Sequence, residues 1–180
     1  PYSIRCFNDR VGCPPGRRIA LALVLRHRGL VQIFRIADGR HPIWDGTGAA
    51  LIGGRWNSPS KPVIYGSLSY SCAMLEILAH TNIGRVPETH QYIIAEVPKG
   101  VSVEILEGNT LPEGWDSENT AASRDIGDQW INEARSAILI VPSVIARLDQ
   151  NALVNPLHPD AKKLIVSEPK KVIWDKRLFQ

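Results

Sequence analysis

Gly53-Gly54-Arg55-Trp56-Asn57, followed after a four-residue gap by Pro62-Val63-Ile64-Tyr65, is the densest chemical signal in this chain. Paired glycines let backbone approach a partner closely and permit positive φ. The arginine directly after them presents a planar fork suited to a phosphate or carboxylate. Trp56 offers an apolar face, and Asn57 both a donor and an acceptor. The same pentapeptide also reads as a plain Gly-Gly turn carrying an exposed arginine. It is neither GxGxxG nor a Walker loop, so the usual dinucleotide and nucleoside-triphosphate fingerprints are absent.

Working outward, short elements alternate. Val31–Ala37 reads as a strand, rich in β-branched and aromatic residues. Residues 38–57 hold many turn formers, and a strand at Pro62–Gly66 follows. A helix is predicted from about Ser69 to His80, with Ser67 or Ser69 as its cap. Gln91–Val97 and Val101–Leu106 are strands split by the Pro98-Lys99-Gly100 turn. Asn119–Ala134 is helical, with Gly127 a weak point in it. Ala137–Val141 is an apolar strand, and Leu164–Ser167 and Lys171–Asp175 make a last pair. Strands outnumber helices and connections are short, which predicts one α+β domain with largely antiparallel sheets rather than a doubly wound series.

Three further positions invite chemistry. Glu76 has Ala73, Leu75, Ile77 and Leu78 for neighbours, so its carboxylate either faces solvent on a narrow strip or lines a pocket. Ser69, Cys72, Ala73, Glu76, Ala79 and His80 share its helical face by their spacing. Arg35 sits inside the apolar strand segment Ile33-Phe34-Arg35-Ile36, on the face of Ile33, where burial would demand an anionic partner. An edge-strand charge is the alternative. Ser136 precedes the Ala137–Val141 strand and Ser143 follows Pro142, yet GxSxG is missing and no serine-hydrolase spacing surrounds them. Asn155-Pro156-Leu157-His158-Pro159 reads as a structural turn.

Composition narrows the classes. A chain of 180 residues with 44% hydrophobic and 22% charged residues is long enough for one core and too apolar for disorder. No apolar run reaches the roughly 20 residues of a membrane-spanning helix. Cys6, Cys13 and Cys72 lack metal-ligand spacing, which argues against a disulfide framework or zinc site and for a reducing compartment, the cytoplasm. The net charge of +3 is uneven. Residues 1–30 carry six arginines and one acid, leaving about −2 for residues 31–180. The basic footprint of a nucleic-acid binder is therefore confined to the first thirty residues. Their apolar run Ile19–Leu25 is short for a secretory signal and runs into Arg26-His27-Arg28 instead of a cleavage site. Residues 1–30 are expected to be an extension, added by cloning or by an upstream start, with the domain spanning 31–180.

In order along the chain, these elements resemble the RES domain, named for prominent Arg, Glu and Ser residues. The matching segments are Phe34-Arg35-Ile36, Gly53 to Asn57, Pro62 to Tyr65, Ala73-Met74-Leu75-Glu76, Trp130, Ser136 with Val141-Pro142-Ser143, and Asn151 through Asn155 to Pro159. Members include the toxins of Xre–RES toxin–antitoxin pairs. The resemblance implies an ADP-ribosyltransferase-like α+β fold, two packed and mostly antiparallel sheets with flanking helices around an NAD cleft. It implies NAD as substrate, cleaved at the nicotinamide–ribose bond by water or inorganic phosphate, with no metal. The charge distribution and the lack of a long apolar run add the expectation of no direct contact to nucleic acid and no membrane. The expected partner is a cognate Xre-like DNA-binding antitoxin that blocks the cleft. Catalytic roles then fall to Arg35, Arg55, Tyr65, Glu76 and Ser136, the last preferred to Ser143 because Ser143 lies in a turn. Gly54, Trp56 and Asn57 would contact NAD. Arg35 and Arg55 would hold the pyrophosphate or an incoming phosphate, Tyr65 would stack on nicotinamide, and Glu76 would stabilise the oxocarbenium-like state. Protein ADP-ribosylation, or a non-catalytic partner-binding module, are the alternatives.

Overall fold

In a computed structural model of the chain, residues 31–80, 86 and 88–179 are described. The expected 1–30 extension lies outside them. The elements run β1 (Val31–Asp38), α1 (Thr47–Ile52), β2 (Ile64–Ser67), α2 (Tyr70–His80), β3 (His90–Val97) and β4 (Val103–Ile105). They continue with α3 (Ala121–Asn132), β5 (Ile138–Pro142), β6 (Gln150–Val154), β7 (Ile165–Val166) and β8 (Lys170–Lys171). Among the described residues, no helix is long and apolar enough to cross a membrane.

The α+β class is as expected, and the ladder is mostly antiparallel, with one parallel pair between β4 and β5. Its connectivity differs from the expected pair of sheets. All eight strands join in one hydrogen-bonded path, β4-β5-β6-β2-β1-β3-β7, with β8 also on β3. The reason is β6. Its sequence, Gln150 to Val154, shows no alternation that marks it out, yet it pairs with β5 on one side and β2 on the other. It stitches the two halves together. The last two strands do not pair with each other, since each takes a separate stretch of β3.

Strand alternation sorts the core onto two sides. Ile33, Ile64, Ala95, Val97, Ile138, Ile140, Ala152 and Val154 form one cluster. The intervening residues Leu139, Val141 and Leu153 join Val63, Trp56 and Trp130 in a second, on the side covered by α3. Ile36 and Ala73 anchor a third with Val172 and Trp174, where α2 packs on β1. The cap of α2 is as predicted, because Ser69 Oγ accepts the Cys72 N–H at 3.1 Å. Gly127 marks the tightest approach rather than a weak point. A Cβ there would lie 1.8 Å from the Trp56 carbonyl oxygen, so only glycine lets α3 seat on the 53–57 turn.

Candidate functional site

The 53–57 turn is held from every direction. Gly53 adopts φ +77, and a Cβ on Gly54 would lie 2.5 Å from the Tyr65 hydroxyl, so both glycines are required by geometry. The Gly54 N–H donates to the Asn57 carbonyl at 2.9 Å, closing the turn. Asn57 is wholly buried, and its Nδ2 donates to the carbonyls of Ala49, Ser58 and Lys61. Tyr65 completes the lock: its hydroxyl donates to Asn57 Oδ1 at 2.7 Å and accepts the Trp56 N–H at 3.1 Å. Burial pushes the Tyr65 phenol well above its ordinary range, so it stays a donor.

Helix α3 fastens the outer side of this turn. Ser123 Oγ donates to the Arg55 carbonyl at 2.9 Å, and Arg124 Nε donates to the Gly54 carbonyl at 3.3 Å. Asp128 accepts the Ser58 N–H at 2.8 Å and pairs with Lys61 at 3.1 Å. Burial pushes the Asp128 carboxyl up, but those partners hold it below its ordinary value. Trp56, expected to offer an open face to a ligand, is instead 3% exposed and packed in the core, its ring centroid 6.1 Å from that of Trp115. Gly54, Trp56 and Asn57 thus build the turn from within.

The two arginines have separate placements. Arg35 is half-buried and gives its donors to backbone carbonyls: Nε to Ile43, Nη1 to Tyr65 at 2.7 Å and Nη2 to Asp45 at 3.3 Å. Burial lowers its pKa from the ordinary arginine value, with the Asp45 charge opposing that. An anionic side chain is not what satisfies it. Arg55 uses Nη1 alone, donating to the Trp115 and Ser117 carbonyls at 3.1 and 2.8 Å. Among the described residues its Nε and Nη2 meet no acceptor, which leaves one edge of the guanidinium open.

A second cluster forms where α2 crosses the ends of β2, β5 and β6. Glu76 Oε1 accepts from Ser143 Oγ at 2.9 Å and from Asn151 Nδ2 at 2.6 Å. Ser143 is in turn fixed by the Ile145 and Ala146 N–H groups, which donate to its Oγ at 3.2 and 2.9 Å. Asp149 closes that loop by accepting from Ser69 Oγ at 2.9 Å. The second carboxylate oxygen, Oε2, has no partner among the described residues and is not sealed from solvent. Glu76 therefore has one oxygen tied to the fold and one open.

This geometry sets the two candidate serines apart. Ser136 is 3% exposed, accepts from Trp130 Nε1 at 2.9 Å and donates to the Ile138 carbonyl at 2.8 Å. Those bonds spend it on holding a core tryptophan. Ser143 meets Glu76 because the turn after Pro142, which argues against it in sequence, aims its hydroxyl there. Sequence reasoning assigned Asn151 no chemistry of its own. Its trace there is its place at the head of the Asn151-to-Pro159 segment that carries the resemblance, on a strand that alternation does not reveal. Among the described residues no group of three or more His, Cys, Asp or Glu side chains is placed to hold a metal ion.

Residues 32–175 match the RES domain. The chain is 38% identical over 138 residues to the Prs ADP-ribosylating toxin of Sphingobium sp. (strain YBL2), covering 75% of this chain and 86% of that protein. It is 31% identical over 152 residues to Toxin Res of Yersinia enterocolitica serotype O:8 / biotype 1B, covering 82% and 99% respectively. Among solved structures, a chain of the M. tuberculosis MbcT–MbcA toxin–antitoxin complex superposes with a TM-score of 0.62 at 18% identity, covering 80% of this chain and 85% of that one. At that identity the likeness establishes a shared fold.

Proposed function

Because this chain belongs to the RES-domain family, we propose that it is a toxin that consumes NAD by breaking the nicotinamide–ribose bond, centred on Glu76. The observation that carries this reading is the divided carboxylate, with Oε1 held by Ser143 and Asn151 and Oε2 free. In the reaction the ribose C1′–N bond breaks, its electron pair leaves with neutral nicotinamide, and positive charge spreads over C1′ and the ring oxygen. A fixed carboxylate beside that charge stabilises it without having to reorganise. A lone pair of the acceptor oxygen then forms the new bond to C1′. With water the products are nicotinamide, ADP-ribose and a proton; with inorganic phosphate, nicotinamide and ADP-ribose 1″-phosphate.

The other side chains follow from their free atoms. The open edge of Arg55 suits a phosphate of the NAD pyrophosphate, or an incoming phosphate. Arg35 shapes the approach by holding residues 43–45 against β2. Ser143, rather than Ser136, is the site serine, and Tyr65 with Gly54, Trp56 and Asn57 keeps Arg55 in place. An ADP-ribosyltransferase-like cleft, a cytoplasmic setting and neutralisation by an Xre-like antitoxin belong to the same reading. The fold shared with a toxin–antitoxin complex and the toxin names of the relatives support a partnered toxin.

Transfer of ADP-ribose to a protein has a specific observation in its favour, the name of the 38% identical relative. One assay separates the three acceptors. Purified chain is incubated with labelled NAD, with and without phosphate, and with a cell extract. Mass spectrometry then distinguishes ADP-ribose from its phosphorylated form, and a labelled protein band reports transfer. NAD left intact under all three conditions by folded, partner-free protein would overturn the reading.

A further inference from the structure

Beneath the Glu76 carboxylate lies a second tier of polar groups that this chemistry does not touch. Ser67 ends β2 and is 2% exposed, while Cys72, near the start of α2, is fully buried. Ser67 Oγ donates to Asn151 Oδ1 at 2.7 Å, and Cys72 Sγ approaches the same oxygen at 3.6 Å. The fold accounts for this meeting. Ser67 stands opposite Asn151 in the β2–β6 register, and α2 begins three residues after that strand, which lays Cys72 over the pair.

An asparagine amide is an acceptor at one end and a donor at the other. Two donors at Oδ1 turn Nδ2 toward Glu76, where it reaches Oε1 at 2.6 Å. The opposite rotation would set Oδ1 against a carboxylate oxygen and leave both donors facing an NH₂ group. A buried hydroxyl is costly without a partner, and an alanine would fill nearly the same space, so the position of Ser67 is informative. Burial also pushes the Cys72 thiol up, keeping its proton available to the amide oxygen.

We propose that Ser67 is a positioning residue of this site: its hydroxyl fixes the Asn151 amide that pins Glu76 Oε1, so that Oε2 is presented in a single direction. The inference rests on Glu76 being the reacting carboxylate, as proposed above. Ser67 touches no substrate, so its removal acts on turnover and not on NAD affinity.

The test uses the full chain and two readouts. Ser67→Ala is expected to lower kcat for NAD about tenfold, the size of one hydrogen bond's contribution, with KM changed less than about twofold. Ser67→Thr, which keeps the hydroxyl, restores kcat. In isotope-labelled protein the Asn151 side-chain amide signals, identified by their absence from Asn151→Asp, exchange faster with solvent in Ser67→Ala. A kcat within about twofold of the parent, an unaltered Asn151 signal, or a loss that threonine does not restore would each overturn the proposal. Should Ser67→Ala not fold, Ser67→Cys offers a weaker donor and an intermediate kcat is expected; parental turnover there counts against it. Wild-type protein that leaves NAD untouched would remove the catalytic reading, while the amide exchange still decides whether Ser67 orients Asn151.

Discussion

Asn57, in the 53–57 turn, spends its Nδ2 on three carbonyls and its Oδ1 on Tyr65, whereas Glu76, on α2, spends one carboxylate oxygen and keeps the other. The turn closes on itself, with Asn57 turned inward and α3 pressed against its backbone, and only the outer edge of Arg55 stays open among its polar groups. The carboxylate cluster draws on four elements and ends in an open atom. Hydrogen bonds that are all satisfied internally stabilise a shape; those that leave one oxygen oriented and unpaired prepare an encounter. Substitutions in the first region should therefore cost stability, and those in the second should cost turnover.

The largest expected effect is on Glu76. Glu76→Gln retains an oxygen able to accept from Ser143 and Asn151 but loses the charge, so NAD turnover should fall about a thousandfold, roughly 4 kcal/mol in the barrier. Thermal denaturation should shift by no more than about 3 °C. A variant with parental turnover would break the contrast by removing Glu76 from the chemistry.

Next comes Gly127→Ala, on the stability side. In an ordinary helix this change gains about 1 kcal/mol. Here the new Cβ would lie 1.8 Å from the Trp56 carbonyl oxygen, so α3 must move off the turn. A net loss of about 3 kcal/mol is expected, lowering the melting temperature by about 6–12 °C. Calorimetry showing a gain would mean that α3 is not seated on the turn.

The serines sharpen the comparison by crossing it. Ser143→Ala should reduce turnover about ten- to thirtyfold, a charge-assisted hydrogen bond's worth, with a small change in melting temperature. Ser136→Ala should do the reverse. It strands Trp130 Nε1 in the core at a cost of about 1–3 kcal/mol while leaving turnover per folded molecule unchanged. Equal turnover losses in both variants would erase the distinction between the two regions.

Asp128 carries the smallest effect, visible in pH dependence. Its carboxyl is held below its ordinary value of 3.8 by Ser58 and Lys61, so the unfolded chain takes up the proton first. The stabilisation is full above that ordinary value and is lost as the pH falls through the folded one. Denaturant titrations of wild type and Asp128→Asn should differ at neutral pH and converge in acid. A gap that persists at the lowest pH would assign the difference to something other than this proton.

Much of this was legible from local signals because the physics behind them is local. The β1 and β3 strands, the Ser69-capped α2 helix and the turn at 53–57 follow from alternation, capping chemistry and paired glycines. The α+β class followed from their order. Short α1 was hidden among turn formers, and β6 among polar residues. The contact of Ser143 with Glu76 was not legible locally either, since a serine after a proline looks like a plain turn until its neighbours across the sheet are known.

What the sequence by itself determined is which residue types stand at which spacings: an arginine after two glycines, a lone carboxylate on an apolar helix, and an order of segments shared with one family. Tertiary structure alone decided how they are used. It buried Trp56 and Asn57, spent the Arg35 donors on carbonyls, and brought Asn151 and Ser143 to one oxygen of Glu76 from 75 and 67 residues away. A hydrogen bond reaches only about 3 Å, and which donors come within that reach is settled by strand pairing between distant segments.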